Sequence, residues 1–291
     1  MSVEITTAFV QQYRGNVIHL AQQKGSRLQG AVRVESGLVG KAAYVDRIGA
    51  VTAQKKTSRH SDTPQFNTPH SRRRLTMFDY QWADLIDQED KIRILINPDS
   101  EYVIAGVNSM GRAKDDEIFT AFTGPAWGGE DGSTQVDLPA GQKVAQGSAS
   151  LTLAKLMAAK EIFGLNDLDP DEALFIAVTP KMLTAMLNTT EVKSADYNTV
   201  KALVKGDIDS FMGFKFITSN RNLKDITSST YRCAVAWAQS GVVLGIGADI
   251  KTRVTERPDK SYAVQPYIAM TIGATRVEDE KVVEIPCLAT D

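Results

Sequence analysis

The chain has 291 residues, of which 43% are hydrophobic and 23% are charged. A formal net charge of −2 at pH 7 excludes a surface devoted as a whole to nucleic acid or to an anionic membrane, so any basic function must be local. No apolar run approaches the ~20 residues of a membrane helix, and the N-terminus lacks a signal-peptide pattern. The two cysteines, Cys233 and Cys287, have no metal-ligand spacing, which favours free buried thiols in a reducing cytoplasm.

The N-terminal quarter alternates between patterned and polar segments. Residues 4–24 have the apolar spacing of an amphipathic helix, which fits either an extended arm or a helix packed on its own domain. Glycines in residues 25–40 argue against a rigid element there, and residues 41–52 are predicted to form a strand. Residues 54–74 are basic and rich in hydroxyls, with Phe66 as the only strongly apolar side chain. A segment this polar and this long indicates a functional or interaction loop.

The basic side chains of this loop are the candidate contact residues. Guanidinium and ammonium groups can pair with phosphates or with the carboxylates of another subunit. Binding of single-stranded nucleic acid is the weaker interpretation, because no aromatic side chains for base stacking are interleaved. The candidates are Lys55, Lys56, Arg59, Arg72, Arg73 and Arg74.

The middle of the chain predicts mixed helices and strands. Residues 75–80 and 92–96 alternate as strands, and Pro98 begins a helix that runs to about Phe122 with a break at Gly111. The polar, glycine-rich residues that follow, 123–146, indicate an exposed loop or hairpin.

The most strongly patterned stretch is residues 147–187. One long helix, capped by Ser148 or Ser150 and apolar on two faces, is predicted over residues 147–164. A continuous apolar run over residues 173–178 predicts a strand covered on both faces, and Pro180 starts another helix.

The remainder of the chain is predominantly β. A short helix is predicted at residues 198–205, strands at 211–218 and 231–237, and closing strands between residues 249 and 285. Helices that alternate with strands and end in a β region give an α+β fold.

No catalytic, cofactor or metal site is predicted. The three histidines, His19, His60 and His70, have no acid or nucleophile at motif spacing. Residues 245–249 look like a dinucleotide-binding loop, but β-like sequence follows where that motif needs a helix. The acidic runs at 115–117 and 278–280 are typical of solvated faces.

The order of these features resembles the major capsid proteins of tailed bacteriophages, which share the Hong Kong 97-type fold. The most specific pieces are FIAVTPKM at residues 175–182, like that family's strand, proline and helix, and GFKFITSN at residues 213–220, like its glycine-led strand. The closing runs at 269–276 and 282–287 complete the resemblance, which covers nearly the whole chain.

The resemblance implies an α+β phage major capsid fold with an N-terminal arm, an extended loop, a peripheral domain with a long spine helix, and an axial domain. The helix over residues 147–164 would be the spine. The implied divisions are an arm with the first strand at 1–50, the extended loop at 51–82, the peripheral domain at 83–172, the axial domain at 173–247 and closing peripheral strands at 248–291.

The implied function is self-assembly, through hexamers and pentamers, into the icosahedral head shell that encloses double-stranded DNA in the virion. The resemblance also implies synthesis in the host cytoplasm, a separate scaffolding protein, a portal protein, non-specific DNA contacts, and no membrane or cofactor. The basic loop residues would pair with neighbouring acids, for which the candidates are Glu278, Asp279 and Glu280. Changing Arg72, Arg73 and Arg74 to Glu is then expected to stop assembly and leave the monomer folded.

Two alternatives are open. An encapsulin-type nanocompartment protein has the same fold, and a protein cargo in place of nucleic acid would identify it. A hydrolase or transferase built from scattered acids is the other, and a pocket with two converging carboxylates of raised pKa would support it.

Overall fold

The computed structural model describes residues 22–60, 62–63, 65–86, 98–188, 210–221 and 231–288. Three predicted elements lie outside the described residues: the N-terminal helix apart from its last residues, the strand at 92–96 and the helix at 198–205.

Helices and strands alternate along the described chain, which confirms the α+β prediction. The elements are β1 (Arg33–Ser36), β2 (Ala42–Ile48), β3 (His70–Thr76), β4 (Phe78–Ala83), α1 (Pro98–Thr123), β5 (Ala126–Gly128), β6 (Thr134–Val136), α2 (Leu153–Leu165), β7 (Leu174–Val178), α3 (Pro180–Leu187), β8 (Ser210–Phe211), β9 (Phe214–Thr218), β10 (Tyr231–Ala238), β11 (Val242–Arg257), β12 (Ala263–Arg276) and β13 (Val282–Leu288).

The strands form three sheets in the described chain, with the orders β1-β11-β12-β4, β13-β10-β7-β9-β8 and β2-β3-β5-β6. The chain divides into two compact units. Among the described residues, the smaller unit comprises 22–26, 79–86, 98–112 and 249–270, and the larger unit comprises the rest.

The five-stranded sheet carries the main core of the larger unit. β7 lies at its centre, antiparallel to β10 and parallel to β9. Ile176, Ala177 and Val178 are fully buried, as the continuous apolar run predicts. α2 and α3 contribute Leu156, Phe163, Met182 and Met186 to the same core.

The predicted start of α2 is wrong. The helix begins at Leu153, with Thr152 as its cap, and has 13 residues. The buried ammonium of Lys155 donates hydrogen bonds to the carbonyl oxygens of Gln146 (2.8 Å), Ala149 (2.8 Å) and Pro286 (2.6 Å). Because the Ala149 carbonyl lies in the segment predicted to be helical and the Gln146 carbonyl directly precedes it, Lys155 holds the start of that segment in a non-helical conformation.

The long helix is instead α1, with 26 residues. It begins at Pro98 as predicted, but the break predicted at Gly111 is absent, since the helix runs through that residue. A Cβ at Gly111 would lie 2.5 Å from the carbonyl carbon of Gly25. The glycine therefore permits the close approach of another chain segment within the smaller unit.

The prediction that residues 25–40 hold no rigid element is also wrong. Leu28, Ala31 and Val32 are buried in the larger unit. The fully buried carboxylate of Asp115 accepts a hydrogen bond from the amide of Leu28 (3.1 Å), and Trp237 Nε1 donates one to the carbonyl of Ala31 (2.8 Å). Side chains distant in sequence thus fix this segment.

Of two other β predictions, one needs adjustment and one is confirmed. The strand predicted at 211–218 is a hairpin of β8 and β9, turning at Met212 and Gly213, both with positive φ. The predicted hairpin within 123–146 is confirmed by the antiparallel pairing of β5 with β6.

The domain boundaries drawn from the sequence do not follow the sheets. β13 pairs with β10 in the sheet that contains β7, and α2 packs on that sheet. The boundary at 247/248 falls within β11.

Cys233 and Cys287 are both buried, and neither forms a disulfide, as the sequence predicts. Cys233 is in register with Pro286, and Cys287 with Arg232, on adjacent antiparallel strands. Neighbouring positions along a strand point to opposite faces, so the two thiols lie on opposite faces of the sheet. Burial raises the pKa of Cys287 from 9.0 to about 11.

We expect Cys287 to react very slowly with a thiol reagent such as DTNB at pH 8 in the folded, unassembled protein. The thiolate is the reactive form, and a pKa of about 11 leaves it protonated at this pH. Guanidinium chloride should make both thiols of the chain react at once. Labelling of Cys287 in the native protein at the rate of a free thiol would contradict this.

The same shift predicts a pH effect on stability. The folded-state pKa of Cys287 is raised above its ordinary 9.0. The contribution of this thiol to the free energy of unfolding is therefore complete below pH 9 and is lost as the pH rises through about 11. Denaturant titrations of the native protein and of Cys287→Ala between pH 8 and pH 11 measure it. The variant should lose less stability over this range; equal losses would contradict the assignment.

Candidate functional site

The arginine triplet Arg72–Arg74 lies in a strand, not in the loop that the sequence predicts. β3 begins at His70 and pairs antiparallel with β2 along its whole length, from His70 opposite Ile48 to Thr76 opposite Ala42. Because side chains alternate between the faces of a strand, Arg73 points away from the face shared by Arg72 and Arg74.

Arg73 and Arg276 converge on one carboxylate, that of Asp279. Arg73 Nη2 donates to Asp279 Oδ2 (2.5 Å), and Arg276 Nε donates to Asp279 Oδ1 (2.6 Å). The exposed fractions are 3% for Arg73, 0% for Arg276 and 7% for Asp279. Burial lowers the pKa of Arg73, and the attraction of Asp279 opposes that shift.

The other donors of Arg276 bind three backbone carbonyls from two segments of the larger unit, the end of α1 and the β5–β6 hairpin. They contact the carbonyl oxygens of Phe122 (2.9 Å), Gly124 (2.8 Å) and Val136 (3.1 Å). Arg47 Nη1 donates to the carbonyl of Val277 (2.6 Å) beside them. This buried arginine network therefore joins β2, β3, the end of α1 and the β5–β6 hairpin to the segment that leads into β13.

Asp279 is consequently not on a solvated face, and the interpretation of residues 278–280 as one is wrong for this residue. The same interpretation of residues 115–117 is wrong for Asp115, which is fully buried and binds the Leu28 amide. Arg73 and Asp279 bind each other within one chain, which removes both from the surface that a second subunit can contact. Glu278 is half-buried and lies 3.4 Å from the Lys281 ammonium, whereas Glu280 is exposed.

Arg72 and Arg74 stay at the surface of the sheet. Arg72 lies 3.3 Å from the carboxylate of Asp46, and its guanidinium is over the Tyr44 ring at 5.5 Å. Arg74 lies over the Trp127 ring at 5.4 Å.

The polar loop between β2 and β3 contains the other three basic candidates. Its base is closed by a hydrogen bond from the Gly49 amide to the Pro69 carbonyl (2.9 Å). Lys55, Lys56 and Arg59 are all exposed, and no strand or helix forms in the described residues of this loop. We call Lys55, Lys56 and Arg59 the distal basic residues.

A second charged surface lies where α2 ends. Asp167, Asp169 and Asp171 are exposed in the turn that connects α2 to β7. Asn166 donates a hydrogen bond to the carbonyl of Glu280 (3.1 Å), which places Glu280 beside this turn. We call Asp167, Asp169, Asp171 and Glu280 the acidic turn surface.

Residues that could support catalysis or metal binding are not grouped in the described ranges. No three His, Cys, Asp or Glu side chains there are arranged to hold a metal ion. His60 and His70 are exposed at the loop. No described helix is both long and apolar enough to cross a membrane.

Sequence reasoning missed Asp46, Tyr44, Trp127 and Arg276. Residues 70–76 read HSRRRLT and have no alternation that would predict β3 or identify its partners. Arg276 carries no local signal, because the carbonyls that it binds are 140 or more residues away.

Comparison with solved structures places this fold among phage capsid subunits. The chain matches the capsid structure of cyanophage P-SCSP1u with a TM-score of 0.74 at 17% identity, covering 99% of this chain and 95% of that one. It matches Mycobacterium phage Che8 with a TM-score of 0.70 at 15% identity (95% and 97% covered). The match to the capsid of Ralstonia phage GP4 has a TM-score of 0.73 at 10% identity (98% and 96% covered).

Residues 5–289 match the family model described as phage capsid protein, and the chain belongs to that family. The predicted resemblance to tailed-phage major capsid proteins is confirmed, and the protein is a capsid shell protein. No curated protein sequence matches the chain.

We expect Asp279→Asn to destabilise the unassembled protein by about 3–5 kcal/mol, because it leaves two buried guanidinium groups without their counter-charge. Urea denaturation monitored by circular dichroism measures the change. Asp259→Asn is the matched control, since Asp259 pairs with Arg257 at the surface and should matter little. Equal effects of the two substitutions would contradict a special role for the buried network.

Proposed function

We propose that the protein assembles, through hexamers and pentamers, into the icosahedral head shell of a tailed phage that encloses double-stranded DNA. The family match over residues 5–289 is the observation that carries this proposal. The role is structural and not catalytic. Many modest contacts, repeated by symmetry, hold such a shell together.

The distal basic residues make the proposed contact between subunits. They extend from a loop whose base is fixed by β2 and β3, and they have no carboxylate partner within 4 Å in the described part of the chain. The acidic turn surface is the complementary surface that a neighbouring copy offers. Arg73 and Asp279 are left out of this contact because they are buried together.

The remaining partners follow from the proposed shell. A separate scaffolding protein would guide curvature, a portal protein would occupy one vertex, and basic surface inside the shell would meet DNA phosphates without reading sequence. The protein would be made in the host cytoplasm and end in the virion. We propose that α1 is the spine helix, because it is the longest described helix. We assign β7, β13 and α2 together to the axial domain.

Electron microscopy of the expressed protein, alone and with its phage's scaffolding protein, tests this function. Closed shells or rings of subunits are expected. A strictly monomeric species under both conditions would contradict the proposal. Shells that hold a protein cargo and no nuclease-protected DNA would favour the nanocompartment alternative.

We expect Lys55→Glu, Lys56→Glu and Arg59→Glu together to abolish shell formation while the circular dichroism spectrum and melting temperature of the monomer are kept. These side chains are exposed, so the fold does not depend on them, whereas reversed charge would repel the acidic turn surface. Sedimentation of the expressed protein is the measurement.

The matched control exchanges the same residues conservatively, as Lys55→Arg, Lys56→Arg and Arg59→Lys, and should form shells. Normal shells from the Glu variant would remove the loop from assembly. The Arg72, Arg73 and Arg74 triple change is unsuitable for this test, because Arg73→Glu places a second carboxylate against Asp279 and should unfold the monomer.

A further inference from the structure

A small pocket beside β3 contains Arg74. It has a volume of about 190 Å³. Its wall includes the hydroxyl-bearing Thr76, Thr120 and Thr275, and the half-exposed ring of Phe78 lies at its edge. All of its lining residues belong to the larger unit.

The guanidinium of Arg74 contacts an aromatic ring but has no hydrogen-bond acceptor in the described part of the chain. It lies over the Trp127 ring at 5.4 Å. Its Nε is buried and donates no hydrogen bond. A buried charged donor without a partner is costly, which makes the Arg74 Nε a candidate to receive an acceptor from outside the described chain.

The neighbouring arginines show what that partner would be. Arg72 has the carboxylate of Asp46, and Arg73 has that of Asp279. Arg74 has no carboxylate within 4 Å in the described part of the chain, although Glu117 also lines the pocket. Glu117 does not accept a hydrogen bond from the Arg74 Nε.

We infer that this pocket receives the carboxylate of an Asp or Glu side chain from a second copy of the chain. A guanidinium presents paired donors that match a carboxylate, and the pocket has room for a single acidic side chain. The position favours a second copy as the source, because Arg74 lies on the strand that fixes the base of the proposed contact loop. This inference rests on the proposed shell function.

Phenylglyoxal, which modifies accessible arginines, tests the inference on the native protein. Modification is quantified by mass spectrometry in unassembled protein and in assembled shells. Arg74 should be modified at least fivefold more slowly in shells, whereas the buried Arg73 should react slowly in both states. Equal modification of Arg74 in the two states would overturn the inference.

Zero-length cross-linking identifies the source of the carboxylate. Shells assembled from a mixture of ¹⁵N-labelled and unlabelled Arg74→Lys protein are treated with a carbodiimide, which joins an amine to an adjacent carboxylate. The expected product is a mixed-isotope peptide pair that links position 74 to an Asp or Glu of another copy. A link only to Glu117 of the same chain, a link only to scaffolding protein, or no link at position 74 would overturn the inference.

Free acetate separates a general anion pocket from a docking site. If acetate protects Arg74 of the unassembled protein from phenylglyoxal and no link joins two copies, the pocket binds small carboxylates only and the inference fails. If Arg74→Lys protein forms no shells, the phenylglyoxal modification of Arg74 in native unassembled protein and native shells alone decides whether the inference holds. Absence of shells from the native protein is a failure of the proposed function, which is distinguishable from each of these results.

Discussion

The structure around the extended loop depends on one buried carboxylate, that of Asp279. It neutralises both Arg73 and Arg276, neither of which has more than 3% of its surface exposed. Two buried guanidinium groups without a counter-charge would be strongly destabilising. Because Arg276 also binds the carbonyls of Phe122, Gly124 and Val136, this single acid holds the root of the loop against the end of α1 and the β5–β6 hairpin.

The twofold period of β3 gives the arginine triplet different roles. Arg73 points inward and stabilises the subunit, whereas Arg72 and Arg74 stay on the other face with Tyr44 and Trp127. A base fixed by β2 and β3 and a tip of exposed basic residues suit the proposed contact with a neighbouring subunit. The contacts that stabilise the monomer and those available for assembly are therefore separated along one short segment.

Local signals predicted the elements that depend on local chemistry. The continuous apolar run of β7 and Pro180 at the start of α3 are examples, and both lie where the sequence places them. β3 was not predicted, because its polar residues form a strand only by pairing with β2. The start of α2 was missed because one of the carbonyls bound by Lys155 is 131 residues away. The candidate contact residues were only partly predictable from the sequence. Arg73, for example, is buried because it binds Asp279, which is distant in sequence.

A side-chain-resolution map of the assembled shell from electron cryomicroscopy would show directly which arginine and lysine side chains bind within one subunit and which bind between subunits. We expect Arg73 to bind Asp279 of its own chain in every subunit. Acidic side chains of an adjacent subunit should lie against Lys55, Lys56 and Arg59. A shell in which Arg73 pairs with the Asp279 of a neighbouring subunit, or in which the loop folds back on its own chain, would contradict it.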